Sequence, residues 1–118
     1  MGQANINCST FEKISLSDSN LSESSLIQAN LKKSSIDNVM FNRANLTNSK
    51  LFQSKITDTS FFGARLHKAS FCAAKLNKVD FSFANLSAAY LAGIDLSTSM
   101  LEGAVYSSGT AFPAEFDP

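Results

Sequence analysis

Few side chains in this sequence have the types and spacing that catalysis requires. His67 is the only histidine, and Cys8 and Cys72 are the only cysteines. Histidine transfers protons near neutral pH, and a thiolate or an activated serine hydroxyl attacks a substrate. His67 has no carboxylate or cysteine at a ligand-like spacing, and no serine has a plausible base with an orienting acid. We therefore predict that the chain is not an enzyme and binds no metal, cofactor or small-molecule substrate.

The sequence also lacks the short motifs that usually mark an active site. It contains no GxSxG, no GxGxxG and no phosphate-loop pattern. The two cysteines form no CxxC, which argues against a zinc site or a disulfide framework. We expect His67 to be a solvated surface residue and both cysteines to carry free thiols.

The charge and hydropathy of the chain exclude several classes of partner. Ten basic and ten acidic residues give a formal net charge of zero, so no global field attracts nucleic acid or an anionic membrane. The hydrophobic content of 44% is typical of a folded protein, and no apolar run approaches the length of a membrane span. The sequence also lacks a secretory signal at its start. We predict a cytoplasmic protein, unless a targeting segment was trimmed.

The strongest pattern is a large apolar residue at every fifth position. Stepping by five from Ile6 to Leu101 gives 20 positions; all are Leu, Ile or Phe, and all 12 leucines of the chain lie among them. The positions two residues earlier, from Ala4 to Ser99, are eight Ala, seven Ser, two Val, two Ile and one Thr. Such self-similarity predicts a repeat architecture.

Geometry restricts which backbone can carry this pattern. On an α-helix five residues turn about 500°, so the apolar positions form no stripe. On a straight strand an odd step moves the large residue to the opposite face each time. A chain that bends once per repeat keeps both the small and the large position inside. The bends close a coil, and stacked coils pair through backbone hydrogen bonds about 4.8 Å apart.

The repeat resembles the pentapeptide-repeat family, whose consensus is roughly A-[DN]-L-x-x. Three repeats match it outright, and one is close: Ala29-Asn30-Leu31, Ala44-Asn45-Leu46, Ala84-Asn85-Leu86 and Val79-Asp80-Phe81. The resemblance covers residues 4 to about 106. It implies an all-β fold, a right-handed quadrilateral β-helix with four pentapeptides per coil and about five coils.

Twenty residues per coil divide the large residues into four inward ladders. The ladders are Leu21, Phe41, Phe61, Phe81, Leu101; Phe11, Leu31, Leu51, Phe71, Leu91; Ile6, Leu26, Leu46, Leu66, Leu86; and Leu16, Ile36, Ile56, Leu76, Leu96. We expect the three phenylalanines of the first ladder to stack on one another. We also expect the inward serines to bond to the backbone, because a buried hydroxyl without a partner is costly.

The two ends of a solenoid expose sheet-like edges that need covers. We predict a β-helix over residues 4–106 and a C-terminal cap over residues 107–118, with Phe112 and Phe116 folded over the last coil. The ending "GAVYSSGTAFPAEFDP" also resembles that of many cyanobacterial pentapeptide-repeat proteins, in which the chain often continues. At the N-terminus no cap is predicted. Either the first coil stacks against another molecule, or upstream residues are missing.

The outward positions of one face carry an unusual number of apolar residues. Met40, Phe62, Phe83 and Met100 point outward on the face of the Phe41 ladder. Scattered exposed apolar residues are ordinary, but four on one of four faces are less so. The face is either shielded by the cap or by loose packing, or it is a protein-contact face for a partner or for self-association.

Basic residues are concentrated in the middle coils. Lys55 and Lys75 stack one coil apart on one face, and Asp37, Asp58 and Asp95 on the same face are expected to neutralise them. This arrangement favours a solvated mixed-charge face over a site for an acidic partner.

The function that these observations favour is a non-enzymatic protein-binding or scaffold module whose partner the sequence does not identify. Similar cyanobacterial pentapeptide-repeat proteins are mostly of unassigned function, and a few regulate another protein by binding it. The alternative is a DNA gyrase inhibitor or protection protein. Family members with that activity are dimeric, acidic rods that imitate duplex DNA, and the neutral charge, the shorter length and the lysine cluster of this chain argue against it.

Overall fold

The computed structural model describes residues 4–114, in which short parallel β-pairings stack along one axis. Four strands of three residues form one side of the stack: β1 Ser15–Ser17, β2 Ser35–Asp37, β3 Lys55–Thr57 and β4 Lys75–Asn77. They pair in parallel in chain order, each residue with the one 20 positions later. The 20-residue coil predicted from the sequence is therefore confirmed.

The other three sides of the coil are held by single parallel bridges with the same step. The bridged columns are Asn5, Ser25, Asn45, Arg65, Asn85, Val105; Thr10, Asn30, Lys50, Ser70, Tyr90; and Asn20, Met40, Ser60, Asp80, Met100. Together with the strand side they give each coil four sides. The chain is an all-β solenoid with dimensions of 35 × 21 × 21 Å. Within residues 4–114 we find no helix that could span a lipid bilayer.

Nearly every corner of the coils contains one residue with a left-handed backbone; Thr98 is the exception among the described residues. The residue two positions after the large one has a positive φ, from Cys8 at 59° to Ala88 at 57°. Across most corners the carbonyl of the large residue accepts a hydrogen bond from the N–H three residues later. The Asn or Asp before the large residue adds a second bond, as when Asp80 Oδ1 accepts from the Ser82 N–H at 2.8 Å. This bond explains why the consensus places Asn or Asp there.

The large residues fill the interior of the stack. Phe41, Phe61 and Phe81 are fully buried and stack in parallel, with ring centroids 5.0 and 5.4 Å apart. The predicted phenylalanine ladder is therefore confirmed. Phe71, which belongs to a neighbouring ladder, contacts Phe61 and Phe81 edge-on at 5.7 and 5.5 Å. Edge-on aromatic pairs add to the stability that burial provides, and this one ties two ladders together.

Two inward serines complete turns in the preceding coil. Ser54 Oγ accepts from the Ser34 N–H at 3.2 Å and donates to the Leu31 carbonyl at 2.8 Å. Ser34 Oγ does the same one coil earlier, accepting from the Ile14 N–H and donating to the Phe11 carbonyl. The hydroxyl thus stands between the two backbone groups that would otherwise close the turn directly. For these serines the expected bonds to the backbone are confirmed.

For two other inward serines that expectation is wrong. Among the described residues, the hydroxyls of Ser49 and Ser99 are buried without a hydrogen-bond partner. The turn one coil before Ser49 closes directly, because the Ala29 N–H donates to the Leu26 carbonyl at 3.1 Å. No backbone group there is left for the hydroxyl of Ser49.

The chain after Tyr106 is hydrogen-bonded to the preceding coil. Ala111 pairs with Tyr90, a step of 21 instead of 20, so one residue is inserted between Tyr106 and Ala111. Thr110 Oγ1 donates to the Leu86 carbonyl at 2.8 Å. Phe112 packs against the core and contacts the Tyr106 ring edge-on at 5.3 Å. The capping role of this segment stays a prediction, and Phe116 lies outside the described residues.

Candidate protein-contact surface

The four residues of the predicted contact face differ in their exposure. Phe83 and Met100 are each 54% exposed, and Met40 is 42% exposed. Phe62 is half-buried. All four lie on the coils of the Phe41 ladder and its continuation to Leu101, but in three different columns.

Met40 and Met100 are not neighbours along their column. They share an outward column in which Ser60 and Asp80 lie between them. Three coils separate the two methionines, a distance of about 14 Å at the usual strand spacing. The predicted face therefore consists of two separate methionines, with Phe62 and Phe83 at intermediate levels along the solenoid axis.

Phe62 and Phe83 form that pair, which we call the aromatic corner. Their ring centroids are 5.4 Å apart, with the rings tilted by 57°. Phe62 follows the large residue Phe61, and Phe83 lies two positions after Phe81, so the contact joins adjacent coils across a corner. Ser82, which follows Phe62 in its column, is only 7% exposed.

Phe83 occupies the left-handed corner position, with a φ of 58°. The same column carries glycine at Gly63 and Gly103, which adopt this conformation at no steric cost. Of the 16 non-glycine residues with a positive φ within residues 4–114, Phe83 is the only aromatic one. An L-residue in this conformation costs about 1–2 kcal/mol. The corner therefore keeps a strained and largely exposed phenylalanine.

The two glycines of this column also make room for the residue one coil earlier. A Cβ added to Gly103 would lie 2.4 Å from the Phe83 ring, and one added to Gly63 would lie 3.3 Å from Cγ of Arg43. The Phe83 and Arg43 side chains thus both extend towards the next coil. Sequence reasoning missed these contacts, although the glycines 20 residues after Arg43 and Phe83 were a visible signal.

Polar groups beside the aromatic corner fix its backbone. Ser60 Oγ accepts a hydrogen bond from the Phe62 N–H at 3.2 Å and donates to Asn42 Oδ1. Asp80 Oδ1 accepts from the Ser82 N–H in the next coil. Backbone bonds from the Ala64 N–H to the Phe61 carbonyl and from the Ala84 N–H to the Phe81 carbonyl close the same turns, so each turn has both a backbone and a side-chain bond.

The residues with chemically reactive side chains lie apart from this surface. Cys8 and Cys72 have free thiols, as predicted, and Cys8 Sγ donates to Gln28 Oε1 at 3.3 Å. His67 is half-buried in the column that follows Leu66. Within residues 4–114 no three His, Cys, Asp or Glu side chains are grouped so that they could hold a metal ion.

The lysines of the middle coils surround a shallow depression of about 500 Å³. Lys33, Lys55 and Lys75 line it, and Lys55 and Lys75 are paired through β3 and β4. The part of the chain that the structure describes contains one ion pair, between Glu12 and Lys32 at 2.8 Å. The expected neutralisation of Lys55 and Lys75 therefore does not take the form of direct ion pairs.

Asp95 follows Lys75 in the same column and is bound to its own coil. Its carboxylate accepts a hydrogen bond from the Ser97 N–H at 2.9 Å. Hydrogen bonds from the Ser97 backbone and then from its side chain lower the pKa of Asp95 below its ordinary value. The carboxylate is thus held towards Ser97 and not towards Lys75.

Several solved structures are similar to this chain. Rfr23, a pentapeptide repeat protein from the cyanobacterium Cyanothece 51142, matches 92% of this chain and 90% of its own, with 21% identity and a TM-score of 0.76. The pentapeptide repeat protein alr5209 from Nostoc Pcc 7120 matches 83% and 77%, with 28% identity and a TM-score of 0.47. QnrB1, a plasmid-mediated fluoroquinolone resistance protein, matches 92% and 72% in a trypsin-treated variant, with 13% identity and a TM-score of 0.43. Only the first score exceeds 0.5, and at that identity it supports the fold alone.

Comparison of the sequence with profiles of protein families identifies the family of this chain. A comparison with curated proteins returned no match. The profile described as pentapeptide repeats (eight copies) matches residues 14–53, 54–91 and 80–105. These segments cover most of the chain and coincide with the stacked coils described above. The chain therefore belongs to the pentapeptide-repeat family.

Proposed function

We propose that this chain is a non-enzymatic protein-binding module whose contact surface is the aromatic corner together with Met40 and Met100. The observation that carries the proposal is Phe83, an aromatic residue that is 54% exposed at a corner position where the neighbouring coils have glycine. Because the fold needs a left-handed backbone at its corners, Phe83 is distinguished by the large apolar side chain that it exposes there, and exposed apolar groups commonly mark contact surfaces.

The aromatic corner has the properties of an anchor for a protein partner. Aromatic side chains dominate the binding energy of many interfaces, because they lose much apolar surface to the partner and have few torsions to order. Phe62 already packs against Phe83, so less conformational freedom remains to be lost on binding. The flat sides of a solenoid offer the partner a surface that is formed in advance.

The proposal is tested by comparing two charge-introducing variants at the same type of corner position. Phe83→Asp removes the anchor, and its backbone conformation is one that Asp18 and Asp58 already adopt. Asn48→Asp adds the same charge at another corner, where φ is 59°. The wild-type chain and both variants would serve as baits in a native extract, and each captured protein would be purified and titrated against all three.

We expect a purified partner to bind the wild-type chain and Asn48→Asp with equal affinity and Phe83→Asp at least about tenfold more weakly, as for loss of an aromatic anchor. Circular dichroism first establishes that both variants are folded. Equal binding of the partner to Phe83→Asp and Asn48→Asp would overturn the proposal.

The gyrase alternative has its own test. A supercoiling assay with DNA gyrase and micromolar protein would show inhibition or protection if the alternative held, and we expect neither, because the chain carries no net charge. A cytoplasmic location likewise stays a prediction, which cell fractionation can check.

A further inference from the structure

We infer that four lysines on successive coils, Lys13, Lys33, Lys55 and Lys75, bind an extended acidic segment of a partner protein. We call these four residues the lysine row. The row lies on a different part of the surface from the aromatic corner, so the inference goes beyond the proposed function and does not depend on it.

The lysine row supplies one ammonium group per coil. Lys13 and Lys33 occupy the same corner column, one coil apart, and Lys55 and Lys75 begin β3 and β4 on the next two coils. All four side chains are exposed. At about 4.8 Å per coil the row extends over about 14 Å along the axis of the solenoid. A ligand that follows this axis therefore passes four positive charges in succession.

The positive charges of the row are not paired within the chain. Among residues 4–114 none of the four lysines forms an ion pair, whereas the adjacent Lys32 pairs with Glu12 at 2.8 Å. Lys55 and Lys75 lie directly side by side on neighbouring strands, where like charges repel. An anionic ligand would remove this repulsion, so the row is complementary to a partner with several negative charges.

The aspartates of the same side do not take the place of such a ligand. Asp95 is held within its own coil, and Asp18 accepts a hydrogen bond from Asn38 Nδ2 at 2.9 Å. Asp37 and Asp58 lie two and three positions further along the side, about 7–10 Å from the nearest column of the row. This distance is similar to the screening length of physiological salt, so these two carboxylates neutralise the row only in part.

The shape of the surface suits an extended peptide. Lys33, Lys55 and Lys75 line the depression of about 500 Å³ together with Gln53, Ser54 and Ala73. Its open form admits a chain that runs along the row. Alternate side chains of an extended chain lie on one face at intervals of about 6.6 Å, so three carboxylates span about 13 Å, which is close to the length of the row.

Phosphate and nucleic acid fit this surface less well than carboxylates do. The described residues that line the depression include no arginine, and the N–H groups of Lys55 and Lys75 are bonded to the carbonyls of Ser34 and Ser54. A compact phosphate is usually held by arginine forks or by free backbone N–H groups. The same lining has no aromatic ring on which the bases of a single strand would stack. Separate ammonium groups along a line match separate carboxylates along a peptide.

Charge reversal in the row tests the inference. The probe is a fluorescein-labelled peptide of alternating glutamate and serine, and its binding is followed by fluorescence anisotropy at low ionic strength and again at about 0.15 M salt. We expect the double variant Lys55→Glu/Lys75→Glu to bind it at least about tenfold more weakly than wild type. The control Arg65→Glu/Lys68→Glu carries the same charge change on the opposite side of the coil and should stay within about twofold of wild type.

Circular dichroism first establishes that both double variants are folded. The inference is overturned if wild type does not bind the glutamate peptide, if it binds a glutamine–serine peptide equally well, or if both double variants lose the same affinity. Tighter binding of a single-stranded oligonucleotide of the same charge, lost in Lys55→Glu/Lys75→Glu, would also overturn it, because the ligand would then be nucleic acid. Phe83→Asp should bind the glutamate peptide as wild type does, so the failure of either proposal leaves the other standing.

Discussion

At the scale of single residues, the five-residue repeat leaves some positions with two conflicting demands. A corner position needs a left-handed backbone, yet Phe83 supplies an aromatic side chain there. An inward small position admits a hydroxyl, yet only some hydroxyls have a partner: that of Ser54 bridges two backbone groups, and that of Ser49 has no hydrogen-bond partner among the described residues. The consequences of these conflicts can be measured one residue at a time.

Replacing Phe61 by alanine should lower the free energy of unfolding by about 3–5 kcal/mol. Phe61 stacks on Phe41 and Phe81 and is fully buried, so its neighbours cannot collapse into the space that it leaves. Thr57→Ala, an outward change on β3, should cost under about 0.5 kcal/mol. Denaturant unfolding of both variants checks this, and similar losses for the two would contradict the assigned register.

The serine hydroxyls provide a matched pair. Ser54→Ala should cost about 1–3 kcal/mol, because it leaves the Ser34 N–H and the Leu31 carbonyl buried without a partner. Ser49→Ala should be neutral or stabilising, because it removes a buried hydroxyl that has no partner. Unfolding curves that give both variants the same loss of unfolding free energy would show that the hydrogen bonds of Ser54 do not contribute to stability.

Gly103 should be intolerant of a side chain for two separable reasons. Gly103→Ala places an L-residue at a φ of 68° and puts a Cβ into the Phe83 ring. In a Phe83→Ala background the second cost disappears, and only the backbone cost of about 1–2 kcal/mol should remain. A double-mutant cycle measures the difference, and equal costs in the two backgrounds would mean that Phe83 does not lie over Gly103.

At the scale of the elements, the period of the sequence determines the backbone and leaves the corners open. A large residue at every fifth position predicts the coil, the four ladders and the stacked phenylalanines, because the same register must bury all of them at once. The contact between Phe62 and Phe83 was not predictable, since the period gives the column of a side chain but not its direction along the column. The same holds for Arg43, which extends over Gly63.

The segment after Tyr106 is the element whose role is least apparent from the repeat. Removing residues 107–118 should expose the last coil, lower solubility and promote oligomers. The deletion frees the Leu86 carbonyl, which now accepts from Thr110, and the Leu91 N–H, which now donates to the Ala111 carbonyl. Light scattering and thermal unfolding of the truncated chain check this. A monomer as stable as the full chain would show that the segment is not a cap.

At the scale of the whole molecule, the chain is a rod without net formal charge whose sides differ in chemistry. One corner is aromatic, and another part of the surface carries lysines around a shallow depression. The sequence predicts the apolar residues Met40, Phe62, Phe83 and Met100, but it does not predict the contact between Phe62 and Phe83. Function depends on that arrangement, because a partner binds to a surface of a given shape, and the residue types alone do not determine that shape.

The claim that the aromatic corner contacts protein is tested most directly by photo-crosslinking in the native cell. A photoreactive phenylalanine analogue would replace Phe83 in one variant and Asn48, at the neighbouring corner, in another. The analogue at position 83 keeps the aromatic ring, so binding should persist and light should produce a protein adduct of defined mass, with a second copy or with another chain. Position 48 should produce none. No adduct from position 83, or equal adducts from both positions, would contradict the account.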